Sequence, residues 1–179
     1  MRVGILHPGQ MGVTVLESLM ANGVSATWVK EGRRESTIQR ASSVPSLNTL
    51  EELTDSVEII ISVCPPSAAL EVALNIFDKG FKGIYVDANA ISPLESRKIS
   101  ELFGAAFVDG GIIGPPAKEA GTTRIYLSGM RSREVVDLFK VGPLEAIALS
   151  ESSDPEEITA ASALKMAYAG FSKGSSALL

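Results

Sequence analysis

Near the amino terminus the apolar run Arg2-Val3-Gly4-Ile5-Leu6 meets the corner His7-Pro8-Gly9-Gln10-Met11-Gly12, and a helix-patterned segment follows. Such a corner can hold a phosphate. The first amides of a helix lack intrahelical partners, and the helix dipole favours an anion beside them. In the dinucleotide fingerprint G-x-G-x-x-G the second glycine admits a pyrophosphate, and the third lets helix and strand pack closely. Gly9 and Gly12 hold those two places, and His7 holds the first. Proline drives its predecessor toward extended geometry, so His7 is expected to prolong the strand while Pro8 stiffens the corner. Pro8, Gly9, Gln10, Met11 and Gly12 are the candidate cofactor contacts. His7, the only histidine, is expected to sit beside the cofactor as a loop residue rather than to catalyse. The G-x-x-G pair alone suits an ordinary strand–helix junction equally well.

A second cluster follows the next apolar run, in Trp28-Val29-Lys30-Glu31-Gly32-Arg33-Arg34-Glu35-Ser36-Thr37. At this place in a dinucleotide-binding unit a carboxylate holds the adenine ribose hydroxyls, whereas arginine pairs with a 2′-phosphate. Glu31 lies at the right distance, ~20 residues beyond the glycines, for the first role. Arg33 and Arg34, with the hydroxyls of Ser36 and Thr37 at a helix start, make a candidate phosphate cradle. The expected cofactor is NADP, with NAD as the alternative, and Glu31 is expected to turn to solvent or pair with one arginine. A solvated charge cluster on a surface loop is the competing reading of the same residues.

Short β-branched runs alternating with helical patterns must position these groups. The runs are RVGIL, VSATWV, a weak SVPSL, VEIIISV, GIYVDA, AAFVDG, TTRIYLSG and LEAIALS. Between them lie a helix with Val15, Leu16, Leu19 and Met20 on one face, closed by Asn22-Gly23, and another near Ser36–Ser42. A small one carries Leu50 and Leu53, and one over Ser67–Lys79 has Leu70, Ala73, Leu74 and Phe77 as its stripe. A further helix begins at Ser92-Pro93. The alternation implies an α/β fold, a parallel sheet covered on both faces by helices.

With 179 residues the chain is long enough for one domain, or for one plus a stub of another. A net charge of −5 speaks against a nucleic-acid or anionic-membrane surface. The single cysteine excludes an internal disulfide framework and suits a reducing compartment. The apolar runs are too short to span a bilayer, and Met1-Arg2 leads straight into a strand, so no signal peptide is expected. A cytoplasmic protein with a small-molecule substrate is the expectation. From Pro155 to Leu179 the pattern is helical without a stop signal, and it is expected to continue into a further segment. A terminal helix docked on its own domain is the alternative.

Five motifs in order carry a resemblance: HPGQMG, VCPP (63–66), YVDANAISP (85–93), VDGGIIGPP (108–116) and ASALKMAYAGFSKG (161–174). Together they resemble the β-hydroxyacid dehydrogenases, the superfamily of 6-phosphogluconate and 3-hydroxyisobutyrate dehydrogenases. Within it the chain is similar to a 6-phosphogluconate dehydrogenase-like subgroup whose C-terminal domain is poorly characterised. The resemblance implies a Rossmann doubly wound, mostly parallel sheet with extra C-terminal strands over residues 1–152. It implies that residues 153–179 are the start of a long interdomain helix leading to an all-α domain, most of which this chain lacks. It also implies a homodimer formed through the C-terminal helical region.

By the same resemblance Lys165 matches the family's catalytic lysine, which would exchange a proton with a substrate hydroxyl while hydride moves to or from the nicotinamide. Tyr168 replaces an expected asparagine and is the second catalytic candidate; Lys173 is a weaker one. In the loop that usually reads D-x-P-V-S-G-G, Ile113 stands at the serine, Gly114 is kept and Pro115 replaces the last glycine. Ile113, Gly114 and Lys165 are therefore the substrate-binding candidates, in an apolar pocket suited to a less anionic compound. Asn89 is expected to hydrogen-bond the nicotinamide ribose or amide, and Cys64 and Pro65 to pack against the cofactor. No metal site is expected. The reading is an NADP(H)-dependent oxidoreductase acting on a small hydroxy acid or related carbonyl or imine, inactive as this fragment. The alternative is a non-catalytic NAD(P)-binding or sensing module. A fold built for another nucleotide such as S-adenosylmethionine fits the 164–170 helix poorly. Self-association is expected through Leu164, Ala167, Tyr168, Phe171 and Leu178.

Overall fold

The computed structural model describes residues 1–178. β1 (Arg2–Leu6) leads into α1 (Gln10–Ala21), followed by β2 (Ser25–Val29), α2 (Glu35–Arg40), β3 (Ser46–Leu47) and α3 (Leu50–Ser56). Next come β4 (Ile59–Ser62), α4 (Ala69–Asp78), β5 (Ile84–Asp87), α5 (Pro93–Phe103) and β6 (Phe107–Ile113). The chain closes with β7 (Thr123–Ser128), α6 (Ser132–Val136), β8 (Leu144–Ser150) and α7 (Ala160–Leu178). The strands form a single sheet in the order β3-β2-β1-β4-β5-β6-β7-β8. From β3 to β6 all neighbours are parallel; β7 runs antiparallel to β6, and β8 lies parallel to β7.

The period of a strand divides the core into two layers. On β4, Ile59 and Ile61 face one layer with Val3, Ile5, Leu16 and Trp28. Ile60 faces the other, with Leu53, Ile76, Tyr85 and Phe107. Every residue of β4 is buried, which is why its sequence is a continuous apolar run instead of an alternation. Helix ends follow local chemistry. The Thr49 hydroxyl accepts from the Glu52 amide to start α3, and Ser92 and Glu95 form a capping box ahead of Pro93 on α5.

Two expected stripes shift. On α4 the buried residues are Ala69, Ala73 and Ile76, while Leu74 and Phe77 are 40% and 45% exposed. Phe77 instead meets Phe103 of α5 edge-on, with ring centroids 6.1 Å apart. On α1 Met20 is likewise exposed, and Val13 takes a place in the core. Ala69, Ala73 and Ile76 thus form the inward face of α4, and Phe77 turns to its flank beside α5.

The reversal between β6 and β7 carries the loop 114–122 across the start of α1. The Thr14 hydroxyl accepts from the Ala117 amide (3.0 Å) and donates to the Met11 carbonyl (2.9 Å). From the other side the Thr123 hydroxyl donates to the Pro115 carbonyl (2.6 Å). The carboxyl ends of the parallel strands β1, β2, β4, β5 and β6 therefore share one edge of the sheet with a loop fixed to α1.

Candidate functional site

The glycine corner is a three-residue turn closed by the Gly9 amide on the His7 carbonyl at 2.7 Å. A Cβ added at Gly12 would lie 2.6 Å from that carbonyl oxygen, so only glycine lets α1 start this close to β1. A Cβ at Gly9 would find only the same oxygen, 4.0 Å away. The space over Gly9 is open, and no side chain among the described residues caps α1. Gly9, Gln10, Met11 and Gly12 line the groove above the turn, while Pro8 is buried beneath it.

His7 departs from the expected extended geometry: β1 ends at Leu6, and His7 has φ +64°. Closing the turn within two residues of the strand end overrides the extended preference that proline imposes, and a histidine takes the left-handed conformation that the fingerprint gives to glycine. Its Nδ1 is buried without a hydrogen-bond partner. Burial, reinforced by the nearby Arg33 guanidinium, lowers the imidazole to about 4, so the ring is neutral near pH 7.

The groove, about 640 Å³, lies across the carboxyl ends of β1, β2 and β4. Strand order reverses between β1 and β4, the switch point where open α/β sheets take their ligands. Arg33, Arg34 and Thr37 form its β2 wall, and Cys64 and Pro65 its β4 wall. Ser36, expected in the cradle, is exposed and lies outside this lining. Glu31 is exposed, as one of its two expected courses had it, but it is not free. Its carboxylate accepts the Leu50 amide at 3.1 Å, satisfying a free donor at the start of α3, and its carbonyl accepts from Arg33 Nε at 3.0 Å. The carboxylate is tied to the start of α3, and the backbone of the same residue orients the arginine. Half-burial lowers the Arg33 guanidinium from its ordinary value, opposed by Cys64 and Glu31.

Asn89 also serves differently from the expectation. It is 3% exposed, and its carboxamide oxygen accepts the Cys64 amide at 2.6 Å. Its Nδ2 donates to Ser62 Oγ (3.1 Å) and to Asp87 Oδ2 (3.0 Å). With both ends of the amide engaged inside the protein, Asn89 shapes the Cys64-Pro65 wall from behind instead of reaching into the groove. Asp87 is fully buried on β5, and burial raises its carboxyl to about 7, against the pull of the Asn89 bonds. Burial likewise raises the Cys64 thiol, which accepts from Ser62 Oγ at 3.7 Å and is not activated for attack.

At the far end of the same sheet edge, α7 packs on β6. Lys165 Nζ donates to the Ile112 carbonyl at 2.6 Å, which sets Lys165 beside the 112–114 segment. Burial and then the Lys173 cation lower the Lys165 ammonium from its ordinary value. Ile113 is half-buried and Gly114 is exposed beside it. Tyr168, one turn beyond Lys165, is 47% exposed, and Phe171 is 76% exposed. The side chain of Leu178 lies outside the described residues.

Sequence reasoning passed over Asp109, Ser162, Ser128 and Thr14. Each is buried, and the first three fasten α7 to the sheet. Their signal was there: a carboxylate or hydroxyl ending the apolar runs of β5, β6 and β7 must be buried, and a buried polar group needs partners. Among the described residues no group of histidine, cysteine and acidic side chains could hold a metal ion, and no helix is long and apolar enough to cross a membrane.

No family model matches the chain. It is similar to an uncharacterized 28.5 kDa protein in the 7S RNA 5′ region of Methanothermus fervidus, 31% identical over 183 residues, covering 100% of this chain and 68% of the relative. Among solved structures it is similar to the conserved protein MTH1747 of unknown function, whose structure reveals similarity with 3-hydroxyacid dehydrogenases. The two are 32% identical with a TM-score of 0.82, over 99% of this chain and 67% of that one. A reductive aminase from Aspergillus terreus, in complex with NADPH and ethyl levulinate, shares the fold at 16% identity, with a TM-score of 0.78 over 98% of this chain and 62% of that one. The chain thus spans about two thirds of the length of its relatives.

Proposed function

The chain belongs to the β-hydroxyacid dehydrogenase superfamily, and from that premise we propose that it is the cofactor-binding part of an NADP(H)-dependent oxidoreductase. Its substrate would be a small hydroxy acid or a related carbonyl or imine, with Lys165 as general acid and base. Residues 1–152 would form the Rossmann domain and 153–179 the start of the helix to a second, all-α domain through which two copies pair. A cytoplasmic location suits such an enzyme.

The observation that carries the cofactor assignment is the pairing of an open Gly9 with two guanidinium groups while Glu31 is drawn onto Leu50. The open space over Gly9 suits a pyrophosphate, and the uncapped start of α1 offers its amides there. Arg33 and Arg34 would take the 2′-phosphate, and Cys64 and Pro65 would support the nucleotide from the β4 side. NADP would supply or accept the hydride. In the oxidative direction Lys165 takes the proton from the substrate hydroxyl as hydride leaves the adjacent carbon; in reduction it returns that proton. Burial and the Lys173 cation shift the ammonium in the direction the first role needs, and the Ile112 carbonyl holds the group in place when charged. Ile113 lines the substrate side without a hydroxyl donor, which favours a less anionic compound.

Titration of NADPH and NADH tests the cofactor. A bidentate guanidinium–phosphate contact, on the order of 1.5–3 kcal/mol, gives a preference for NADPH of roughly ten- to a hundredfold. The Arg33→Ala/Arg34→Ala double variant should lose that preference, and equal affinities in the wild type would remove its basis. A substrate panel on the full-length protein and on Lys165→Ala tests the chemistry. Cofactor binding without turnover of any compound would favour the non-catalytic module.

A further inference from the structure

We propose that Asp109 is a positioning residue for Lys165: its carboxylate fixes α7 against β6 in the register that sets the lysine on the Ile112 carbonyl. This rests on the catalytic reading of Lys165 and adds a residue that takes no part in that chemistry.

Five hydrogen bonds define the arrangement. Asp109 Oδ2 accepts the Ser162 amide at 2.6 Å, and Oδ1 accepts the Ser162 hydroxyl at 2.6 Å and the Ser96 hydroxyl at 2.7 Å. Next to it, Ser128 Oγ accepts the Ala161 amide at 3.0 Å and donates to the Ile158 carbonyl at 3.1 Å. The free donors of the first turn of α7 are thereby taken by side chains of β6 and β7. Gly111, two residues beyond Asp109 on the same face of β6, lets the helix rest on the strand. A Cβ there would lie 2.7 Å from the Ala161 carbonyl oxygen and 3.2 Å from Lys165 Cβ. Lys165 follows Ser162 by three residues, on the same helix face, and its Nζ closes the arrangement on Ile112.

The residue type matters. Three donors converge on one buried side chain; a carboxylate takes all three, and a carboxamide of the same shape can hold the same partners once both hydroxyls turn round, whereas an apolar side chain holds none. Burial raises the Asp109 carboxyl, against the pull of the Ser162 and Ser96 hydrogen bonds. A contact needed only to glue a helix to a strand could be apolar at less cost. A carboxylate here fixes the position of α7 along β6, and a shift of one ångström there would carry Lys165 with it.

The test follows the titration of Lys165 in full-length protein carrying ¹³C-methylated lysines, with the signal assigned through Lys165→Arg. Asp109→Ala should release α7 and raise Lys165 toward the ordinary lysine value, because burial is the larger cause of its lowering. Asp109→Asn keeps an acceptor for the Ser162 amide and can pair with both hydroxyls, so it should leave Lys165 unchanged. If Asp109 acted only through its charge, both variants would lower Lys165, and that result would overturn the proposal, as would an unmoved Lys165 in Asp109→Ala. Should Asp109→Ala not fold, Ser162→Ala carries the test, because it removes the hydroxyl by which Asp109 Oδ1 holds α7 while Lys165 keeps its own contacts; an unmoved Lys165 there is equally decisive against it. Turnover surviving in Lys165→Ala would refute the catalytic reading alone, since the titration of Lys165 is measured without turnover.

Discussion

Gly12→Ala and Gly9→Val perturb the same turn and should fail in different assays. At Gly12 an added Cβ lies 2.6 Å from the His7 carbonyl oxygen, 3.4 Å from the His7 carbonyl carbon and 3.7 Å from Ile5 Cγ2. Two of those atoms are backbone, so α1 must move away from β1. Overpacking of this kind costs about 1–3 kcal/mol. For a chain of this length each kcal/mol lowers the melting temperature by roughly 2–4 °C, so Gly12→Ala should melt several degrees early. At Gly9 the backbone has φ −68° and ψ −163°, open to any residue, and the nearest atom is 4.0 Å away. Gly9→Val should therefore melt within about 2 °C of wild type, in line with a change of ~0.5 kcal/mol. Its branched side chain would fill the space assigned to the pyrophosphate. Loss of two charge-assisted bonds, roughly 1.5–3 kcal/mol each, should weaken NADPH by at least about a hundredfold. Scanning fluorimetry and NADPH titration on both variants separate these effects. Wild-type affinity in Gly9→Val would refute the assignment of this turn, and wild-type melting in Gly12→Ala would refute the packing argument.

Three further outcomes are expected. His7→Gly relieves a left-handed backbone but adds chain entropy, so stability should change by less than ~1 kcal/mol and NADPH binding should persist; lost binding would mean the ring itself holds the cofactor. Asp87 titrates near 7 in the folded protein against 3.8 ordinarily, so its contribution is full below about pH 4 and lost as pH rises through 7. That is a penalty of up to roughly 4 kcal/mol, and Asp87→Asn should melt later than wild type at pH 8 with a flatter profile between pH 4 and 7; an unchanged pH slope would count against it. Tyr168→Ser/Phe171→Ser should leave the melting temperature unchanged while reducing self-association in analytical ultracentrifugation, because both rings are exposed; a wild-type chain that sediments only as monomer would contradict this.

The order of strands and helices was legible because buried parallel strands must be apolar along their length, as Ile59–Ile61 are, while helices announce their faces and caps. The two glycines were legible because their demand is local. What could not be read depended on contacts between distant residues. Glu31 looked like a ribose ligand or a partner for arginine until the start of α3, 19 residues away, supplied the Leu50 amide. Asn89 looked free until the end of β4 supplied Ser62 and the loop beyond it supplied the Cys64 amide. His7 obeyed turn closure over its proline neighbour, a balance that depends on where β1 stops. The stripe on α4 moved because α5, whose place beside it no sequence period encodes, gave Phe77 a partner at the flank in Phe103.

The tie between Asp109 and Ser162 also bears on how the chain is made. The two are 53 residues apart, so at roughly 5–20 residues per second the ribosome releases the carboxylate about 3–10 s before its helix partners. During that interval Asp109 has only the Ser96 hydroxyl, and sealing it under the sheet would bury a charge short of donors. The nascent first half, with Gly9, Arg33 and the β1–β5 core, has no such debt and is free to condense early. The second half must wait with its edge wet until α7 emerges. The residues that line the groove are thus made before Lys165 emerges, and its walls can form while α7 is still being synthesised.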